Sequence, residues 1–276
     1  MKIAAVYALT EKTNFEAVVK GSFDDILNLM KNLGYDGIEI NIPNPFKVDV
    51  NYLSSKLKSY DLELSAISTG LSYLNYGISL THSSKDKREK AIEFFIKYSE
   101  ISSVLSKYNY VVIGLARGKC EGRPKSQVIK ILKESLEKIL ESTESYGTTF
   151  LIEPINRYET DIINTIEDAL QLVREYSKRV KILLDTYHMT IEDVSPYSAI
   201  LKAGKYIGYV HAAENNRLAP GMGMLNWELI VCRLLRIGYQ GYISIEAIPK
   251  PSYREMLKIG IKSLRSVLNI KEESLI

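Results

Sequence analysis

The chain has 276 residues, of which 46% are hydrophobic and 25% are charged, as in ordinary soluble globular proteins. Its 36 basic and 33 acidic residues leave a formal net charge of +3, which argues weakly against a nucleic-acid partner. No apolar run of about 18 residues predicts a membrane span, and the first residues, MKIAAVYALT, indicate a strand rather than a signal peptide. With only Cys120 and Cys232 present, we expect a cytoplasmic protein without a disulfide framework.

Short apolar, β-branched segments alternate with longer amphipathic segments along the chain, which predicts repeated strand–helix units and a parallel sheet. The eight predicted strands are residues 2–9, 37–43, 62–69, 110–116, 148–155, 180–188, 207–214 and 242–249. Eight units favour an α/β fold of the (β/α)₈ TIM-barrel type over an open sheet, because no glycine-rich phosphate loop follows the first strand. No linker divides the chain, so we predict a single barrel domain over residues 1–276.

A polar residue follows the apolar stretch in each of the last four predicted strands. Glu153 belongs to strand 5, Asp185 to strand 6, His211 to strand 7 and Glu246 to strand 8. In such a barrel the carboxyl ends of the strands meet, so the four side chains should converge. Three converging carboxylates would be driven to protonate unless a cation neutralises them. The set therefore predicts a divalent metal site suited to Mn²⁺, Co²⁺ or Mg²⁺, and catalytic Zn²⁺ is also compatible with it.

Each of these residues also has a simpler interpretation. A single acidic residue at a strand end is commonly a helix cap or a salt-bridge partner, but four in register favour a shared site. The remaining histidines differ in their surroundings. His82 lies in a polar loop, LTHSSKDKRE, and we interpret it as a surface residue. His188 follows Asp185 by three residues, and we predict that it contacts a substrate at the barrel mouth.

The second half of the chain resembles the metal-dependent ketose 3-epimerases, which are related to tagatose and psicose 3-epimerases within the xylose isomerase-like barrels. The segments that carry the resemblance are EPINRYE (153–159), DTYHM (185–189), HAAENNRLAPGMGMLNW (211–227) and SIEA (244–247). The first half is similar in outline only, through GYDGIEI (34–40), SKDKREKAIEFF (84–95) and VVIGLARG (111–118). The resemblance implies that Glu153, Asp185, His211 and Glu246 bind the metal, while Glu159, His188 and Arg217 contact substrate oxygens.

The activity implied by the resemblance is inversion of C3 in a ketose sugar. Removing a proton next to a ketone from one face and returning one to the other requires two acid/base groups, for which Glu153 and Glu246 are the candidates. A bound metal would stabilise the enediolate as a Lewis acid. His188 and Arg217 would donate hydrogen bonds toward the oxygen that gains charge.

The role of one further acidic residue and the identity of the aromatic pocket residues are not decided by the sequence. Glu159 is expected to orient a sugar hydroxyl, and a salt bridge with Arg157 is the alternative. The aromatic candidates for the pocket wall are Tyr7, Phe15, Tyr73 and Tyr76.

A basic cluster after strand 4 bears on whether the substrate carries a phosphate. Its members are Arg117, Lys119, Arg123 and Lys125. We interpret the cluster as a solvated loop in preference to a phosphate site. The loops after strands 7 and 8 contain no dedicated phosphate clamp either, so we predict a free ketose as substrate.

Several other activities use this kind of barrel. Aldose–ketose isomerases, hydroxypyruvate isomerases and inosose dehydratases do so, and fold and metal alone do not distinguish them. A DNA-repair endonuclease of the endonuclease IV type needs several histidines for its zinc ions, whereas this chain has three in total. A non-catalytic sugar-binding protein would not need two carboxylates around its ligand. We therefore expect the partner to be a small sugar and not a nucleic acid or a membrane. The sequence does not identify the sugar or the metal, and it allows assembly as a homodimer or a homotetramer.

Overall fold

The computed structural model describes residues 1–10, 12–176 and 178–273. Its strands are Lys2–Ala8 (β1), Gly37–Asn41 (β2), Glu63–Ser68 (β3), Tyr110–Ile113 (β4), Thr149–Ile152 (β5), Val180–Asp185 (β6), Ile207–Ala212 (β7) and Tyr242–Ile245 (β8). Each strand pairs in parallel with its neighbours along the chain, and β1 also pairs with β8, which closes the barrel. The predicted (β/α)₈ TIM barrel is confirmed.

Helices connect the strands along the chain. They are Phe23–Leu33 (α1), Val50–Ser59 (α2), Gly70–Tyr76 (α3), Lys85–Leu105 (α4), Lys125–Ser142 (α5), Ile166–Val173 (α6), Thr186–Glu192 (α7), Pro196–Ala203 (α8), Trp227–Arg236 (α9) and Tyr253–Glu273 (α10). In α1, the Ser22 side chain accepts a hydrogen bond from Asp25 N at the start, and Gly34 ends the helix at a φ of 84°. None of the helices in the described ranges is long and apolar enough to cross a membrane.

Alternation along the strands places polar side chains in the upper layer of the barrel interior. Successive residues of a strand point to opposite faces, so residues two apart share a face. A compact apolar cluster, contributed by seven of the eight strands, consists of Ala4, Ala66, Val112, Leu151, Leu183, Tyr209 and Tyr242. The residues two positions further along three of these strands are Glu153 after Leu151, Asp185 after Leu183 and His211 after Tyr209. The apolar cluster therefore forms the layer beneath the polar one.

The predicted strands were too long at their carboxyl ends. Strand 6 was expected over residues 180–188, but it ends at Asp185, and the next residues begin α7. The Asp185 side chain accepts hydrogen bonds from the backbone N–H groups of Tyr187 at 2.7 Å and His188 at 3.3 Å, so it caps this helix. His188 is therefore a helical residue that lies directly beside the end of β6.

Candidate metal centre

Four side chains from four consecutive strands meet at the carboxyl end of the barrel. Glu153 follows β5, Asp185 ends β6, His211 lies in β7 and Glu246 follows β8. All four are buried, and one potential ligand atom from each lies within 4.8 Å of the others. The structure thus brings together the four residues that were predicted as metal ligands.

The distances around His211 fit a bound cation. Its Nδ1 atom is 3.4 Å from Glu153 Oε1, 3.6 Å from Glu246 Oε2 and 3.9 Å from Asp185 Oδ2. Among the described residues, neither His211 Nδ1 nor Asp185 Oδ2 has a hydrogen-bond partner, although both atoms are buried. Buried polar atoms without partners are costly, and a divalent ion between them would satisfy both. This oxygen-rich cluster could therefore bind a divalent metal.

The negative charges of the cluster oppose one another. Burial, followed by the charge of Glu153, raises the pKa of Asp185 to about 6. Burial also raises the pKa of Glu246 well above its ordinary value. Burial by itself lowers the pKa of His211, but the charges of Glu39 and Glu246 raise it well above the ordinary range. Protons and a divalent cation compete for these groups, so metal binding should release protons.

Glu39 in β2 is a member of the site that sequence reasoning missed. It is fully buried, and its two carboxylate oxygens lie 3.0 and 3.1 Å from His211 Nε2. The Ser68 hydroxyl donates a further hydrogen bond to Glu39 Oε1. Because an ionised carboxylate only accepts, Nε2 of His211 keeps its proton, and Nδ1 is the nitrogen from which a metal ion would displace a proton.

A sequence signal for Glu39 was present. In the segment GIEI it stands between Ile38 and Ile40, which pack in the large apolar core. Alternation along β2 then places Glu39 on the opposite face, inside the barrel. Burial acts to raise the pKa of Glu39, but the charge of His211 and its hydrogen bond lower it overall. A charged residue inside a strand that is otherwise apolar is the pattern that identifies this position.

Arg217 lies over the cluster in the same cavity. Its Nη1 donates to Glu159 Oε1 at 2.8 Å, and its Nη2 is 3.9 Å from Glu246 Oε2. The guanidinium lies 4.8 Å from the ring centroid of Tyr187 and 5.5 Å from that of Phe15. These contacts hold the guanidinium in one orientation, with its positive charge in the wall of the cavity.

Glu159 pairs with Arg217 and not with Arg157. The guanidinium of Arg157 instead contacts Glu192, with Nε 2.9 Å from Oε1. The alternative salt bridge between Glu159 and Arg157 was therefore wrong. Glu159, His188 and Arg217, the three predicted substrate contacts, all line the cavity that contains the cluster.

The loop after β7, which carries Arg217, is organised by a buried glutamate. Glu214 accepts hydrogen bonds from Gly221 N at 2.7 Å, Leu225 N at 2.9 Å and Trp227 Nε1 at 2.7 Å. Arg217 itself has a φ of 62°, which an arginine rarely adopts. Such a conformation persists only where the surroundings hold it, and here it directs the side chain toward the site.

Two of the four predicted pocket aromatics face the open end of the site. A pocket of about 510 Å³ continues outward from the cavity and is lined by Phe15 and Tyr73. Tyr7 is buried, and its hydroxyl donates to Gly21 O at 3.0 Å. Tyr76 lines a different surface pocket. The prediction is therefore supported by placement for Phe15 and Tyr73, whereas Tyr7 is a core residue.

In the basic cluster after β4, the prediction of a solvated loop is wrong for Arg117, whereas Lys125 is exposed as predicted. The Arg117 side chain is fully buried, and burial lowers its pKa to about 10. It donates five hydrogen bonds to backbone oxygens, namely those of Gly114, Glu153, Ile162 and Ile163. Arg123 also donates to backbone oxygens, those of Cys120, Thr81 and Lys119. Of the four basic residues, Lys119 lines the outer pocket.

Fold and site together define a (β/α)₈ barrel with an acidic and histidine cluster at its carboxyl end. Residues 27–267 match the family described as xylose isomerase-like TIM barrel, and the chain belongs to this family. The D-psicose 3-epimerase of Ruminiclostridium cellulolyticum is 36% identical over 146 residues, which are 52% of this chain and 48% of that protein. The chain thus matches about half the length of this relative.

Two further comparisons extend over more of the chain. The L-ribulose 3-epimerase of Methylomonas sp. is 31% identical over 216 residues, which are 78% of this chain and 74% of that protein. A crystal structure of D-allulose 3-epimerase from Methylomonas sp. in complex with D-allulose superposes with a TM-score of 0.82. That superposition covers 96% of each chain at 21% identity and shows the shared fold.

Proposed function

We propose that the protein is a metal-dependent epimerase that inverts C3 of a free ketose. The observation that carries this proposal is the meeting of Glu153 and Glu246 with Asp185 Oδ2 and His211 Nδ1, two buried atoms without hydrogen-bond partners in the described chain. Relatives named as D-psicose and L-ribulose 3-epimerases support the reaction type. Aldose–ketose isomerisation on the same scaffold is the competing reaction, and it is distinguished by its product.

The proposed acid and base are the two glutamates of the cluster. Glu153 and Glu246 follow β5 and β8, which β6 and β7 separate, so they reach the cavity from different directions. One removes the C3 proton and the other returns a proton to the opposite face. Arg217, 3.9 Å from Glu246, donates toward the oxygen that gains charge. A divalent metal held by the four ligands would supply Lewis-acid stabilisation of that charge.

The basic residues near the site favour a sugar without a phosphate. Arg117 is occupied by four backbone oxygens, and Lys125 Nζ lies 3.8 Å from Asp168. Lys119 is then the one member of the original cluster that lines the pocket. A single lysine is a point charge and not the bidentate clamp that commonly holds a phosphate. This supports a neutral distal end for the substrate.

Location and assembly belong to the same proposal. Both cysteines are free, which supports a reducing, cytoplasmic location. The proposed assembly is a homodimer or a homotetramer. Size-exclusion chromatography with light scattering measures which of the two forms, and a monomer at working concentration would contradict both.

The activity is tested with a panel of free ketoses and their terminal phosphates. Each is incubated with the protein and Mn²⁺, Co²⁺ or Mg²⁺, or with EDTA, and the sugars are separated by chromatography. We expect a C3 epimer of a free ketose, no aldose product, and loss of turnover in EDTA. An aldose product would establish the competing isomerase instead. Turnover in EDTA by protein that elemental analysis finds free of metal would remove the metal site from the proposal.

The two proposed acid/base residues are tested separately. Glu153→Gln and Glu246→Gln should each lower kcat by at least about 10²-fold, because a general acid or base is lost. Since both are also proposed ligands, the metal content of each variant is measured alongside. Near-normal epimerisation by a variant that holds its metal would exclude that residue as acid or base.

A further inference from the structure

Asn156, in the loop after β5, links two of the proposed substrate contacts. Its side chain is buried, and its Oδ1 accepts from Tyr158 N at 3.0 Å. Its Nδ2 lies 3.1 Å from Glu159 Oε1 and 2.8 Å from His188 Nδ1. A backbone N–H can only donate and an ionised carboxylate can only accept, so the orientation of the amide is determined from both sides. The amide nitrogen therefore faces Glu159 and His188.

The two hydrogens of this nitrogen have two acceptors. One goes to Glu159, whose charge is paired with Arg217 at 2.8 Å, and the other goes to His188 Nδ1. His188 Nδ1 must then accept, which leaves the ring proton on Nε2. We propose that Asn156 is a positioning residue that holds His188 in the Nε2–H tautomer and so makes it a hydrogen-bond donor to the substrate.

The surroundings of Nε2 leave this donor available. His188 is 2% exposed and lines the cavity of the cluster. Its Nε2 atom is 3.7 Å from Asp185 Oδ2, which is too long for a hydrogen bond, and no residue in the described parts of the chain accepts from it at hydrogen-bond distance. Because His188 lines the cavity, an oxygen of a ligand bound there can accept from this N–H.

The tautomer decides the sign of the interaction with an oxygen that gains charge. An Nε2–H group stabilises such an oxygen, whereas a bare Nε2 would present a lone pair to it and repel it. The use of this donor on a sugar oxygen rests on the proposed function, but the tautomer does not. Asn156 also joins His188 to the Arg217–Glu159 pair, so the three proposed substrate contacts form one hydrogen-bonded network.

The tautomer is measured by ¹⁵N NMR of the imidazole rings in the presence of Mg²⁺. The chain has three histidines, and a His82→Gln variant assigns one ring directly. We expect the wild-type His188 to show a bare Nδ1 and a protonated Nε2. In Asn156→Asp the new carboxylate can only accept, so Nδ1 should gain a proton. A protonated Nδ1 in the wild type, or a bare Nδ1 in the variant, would overturn the proposal.

Asn164→Ala is the matched control. Asn164 lies in the same loop, but its amide donates its hydrogen bonds to the backbone oxygens of Ile155 and Thr160 instead of His188. This variant disturbs the loop and should leave the His188 tautomer unchanged. If it shifts the ring signals as Asn156→Asp does, loop disruption and not Asn156 controls the tautomer, and the proposal is wrong. The wild-type spectrum tests the proposal even if Asn156→Asp does not fold.

Kinetics then separates the tautomer from its use. With a ketose that the wild type converts, Asn156→Asp should lower kcat by about 10²-fold, the usual effect of losing one donor to a developing negative charge. Asn164→Ala should retain most of kcat. An unchanged kcat with a reversed tautomer would overturn the donor role. Failure of the wild type to convert any ketose, with the expected tautomer in place, would contradict the proposed function and leave the tautomer assignment intact.

Discussion

At the scale of single residues, one carboxylate decides which nitrogen of His211 faces the other proposed ligands. Glu39 accepts from His211 Nε2, so Nδ1 is the nitrogen available to bind a metal beside Glu153 and Glu246. A carboxylate behind a ligating histidine also raises its basicity and holds its ring in place. Glu39 should therefore contribute to metal affinity without touching the metal.

We predict that Glu39→Gln weakens Mn²⁺ binding by about 10- to 100-fold, because the amide keeps the shape of the side chain but removes its charge. Isothermal titration calorimetry measures the affinity directly, without a substrate. Glu63→Gln is a suitable control, since Glu63 begins β3 at the other end of the barrel and pairs with Lys2. Equal Mn²⁺ affinities for wild type and Glu39→Gln would show that Glu39 has no role in the metal centre.

At the scale of elements, Arg117 joins the loops that follow β4 and β5. Its five hydrogen bonds reach Gly114 O, Glu153 O, Ile162 O and Ile163 O, in two segments 36 or more residues apart on either side of α5. One of these oxygens belongs to a proposed metal ligand, so the arginine also fixes the backbone from which Glu153 extends. Removing the side chain would take away the donors of Glu153 O and Ile162 O, whereas Gly114 O and Ile163 O would each keep a backbone N–H donor.

We predict that Arg117→Met lowers the free energy of unfolding by at least about 2 kcal/mol, because two buried acceptors, Glu153 O and Ile162 O, lose their donor at a cost of about 1–3 kcal/mol each. Lys125→Met, from the same stretch of sequence, removes a half-exposed lysine and should cost less than about 1 kcal/mol. Urea denaturation at neutral pH measures both. If the two variants are equally stable, the buried network around Arg117 contributes nothing to the fold.

The elements also show how far the sequence alone could lead. Alternation of apolar residues predicted all eight strands, and the polar residues at their ends predicted the cluster, because both patterns are local. The strand ends were misplaced since a capping carboxylate such as Asp185 looks like the last residue of a longer apolar strand. The burial of Arg117 could not be predicted, because ARGKCEGRPK is a polar segment whose partners, Ile162 and Ile163, lie 45 and 46 residues away. Long-range pairing of this kind leaves no local pattern.

At the scale of the whole molecule, a charged network ties strands together at the amino-terminal end of the barrel. Glu63 at the start of β3 accepts from Lys2 Nζ and from the Tyr242 hydroxyl, each at 2.6 Å, and also from Lys107. Lys2 begins β1 and Tyr242 begins β8, the two strands whose pairing closes the barrel. Glu63 therefore contributes to stability at the end of the barrel opposite to the metal centre.

This network makes stability depend on acid in a defined direction. Burial acts to raise the pKa of Glu63, but hydrogen bonds from Lys107, Lys2 and Tyr242 outweigh it and lower the pKa from 4.5 to about 2. The unfolded chain, with its ordinary pKa, then takes up the proton first as the pH falls. The contribution of Glu63 is complete above the unfolded pKa of 4.5 and is lost as the pH falls through the folded value of about 2.

We predict that Glu63→Gln is less stable than wild type at pH 7 and that the difference shrinks steadily between about pH 5 and pH 2, because only the wild type has a carboxylate at position 63 to protonate. Urea denaturation at a series of pH values, with metal removed from all samples, gives the two curves of unfolding free energy. Glu134→Gln, an exposed change on α5, should run parallel to wild type throughout. Parallel curves for Glu63→Gln would mean that the pKa of Glu63 is the same in the folded and unfolded chains. The hydrogen bonds of Glu63 would then connect the strands without a net contribution of its charge to the free energy of unfolding.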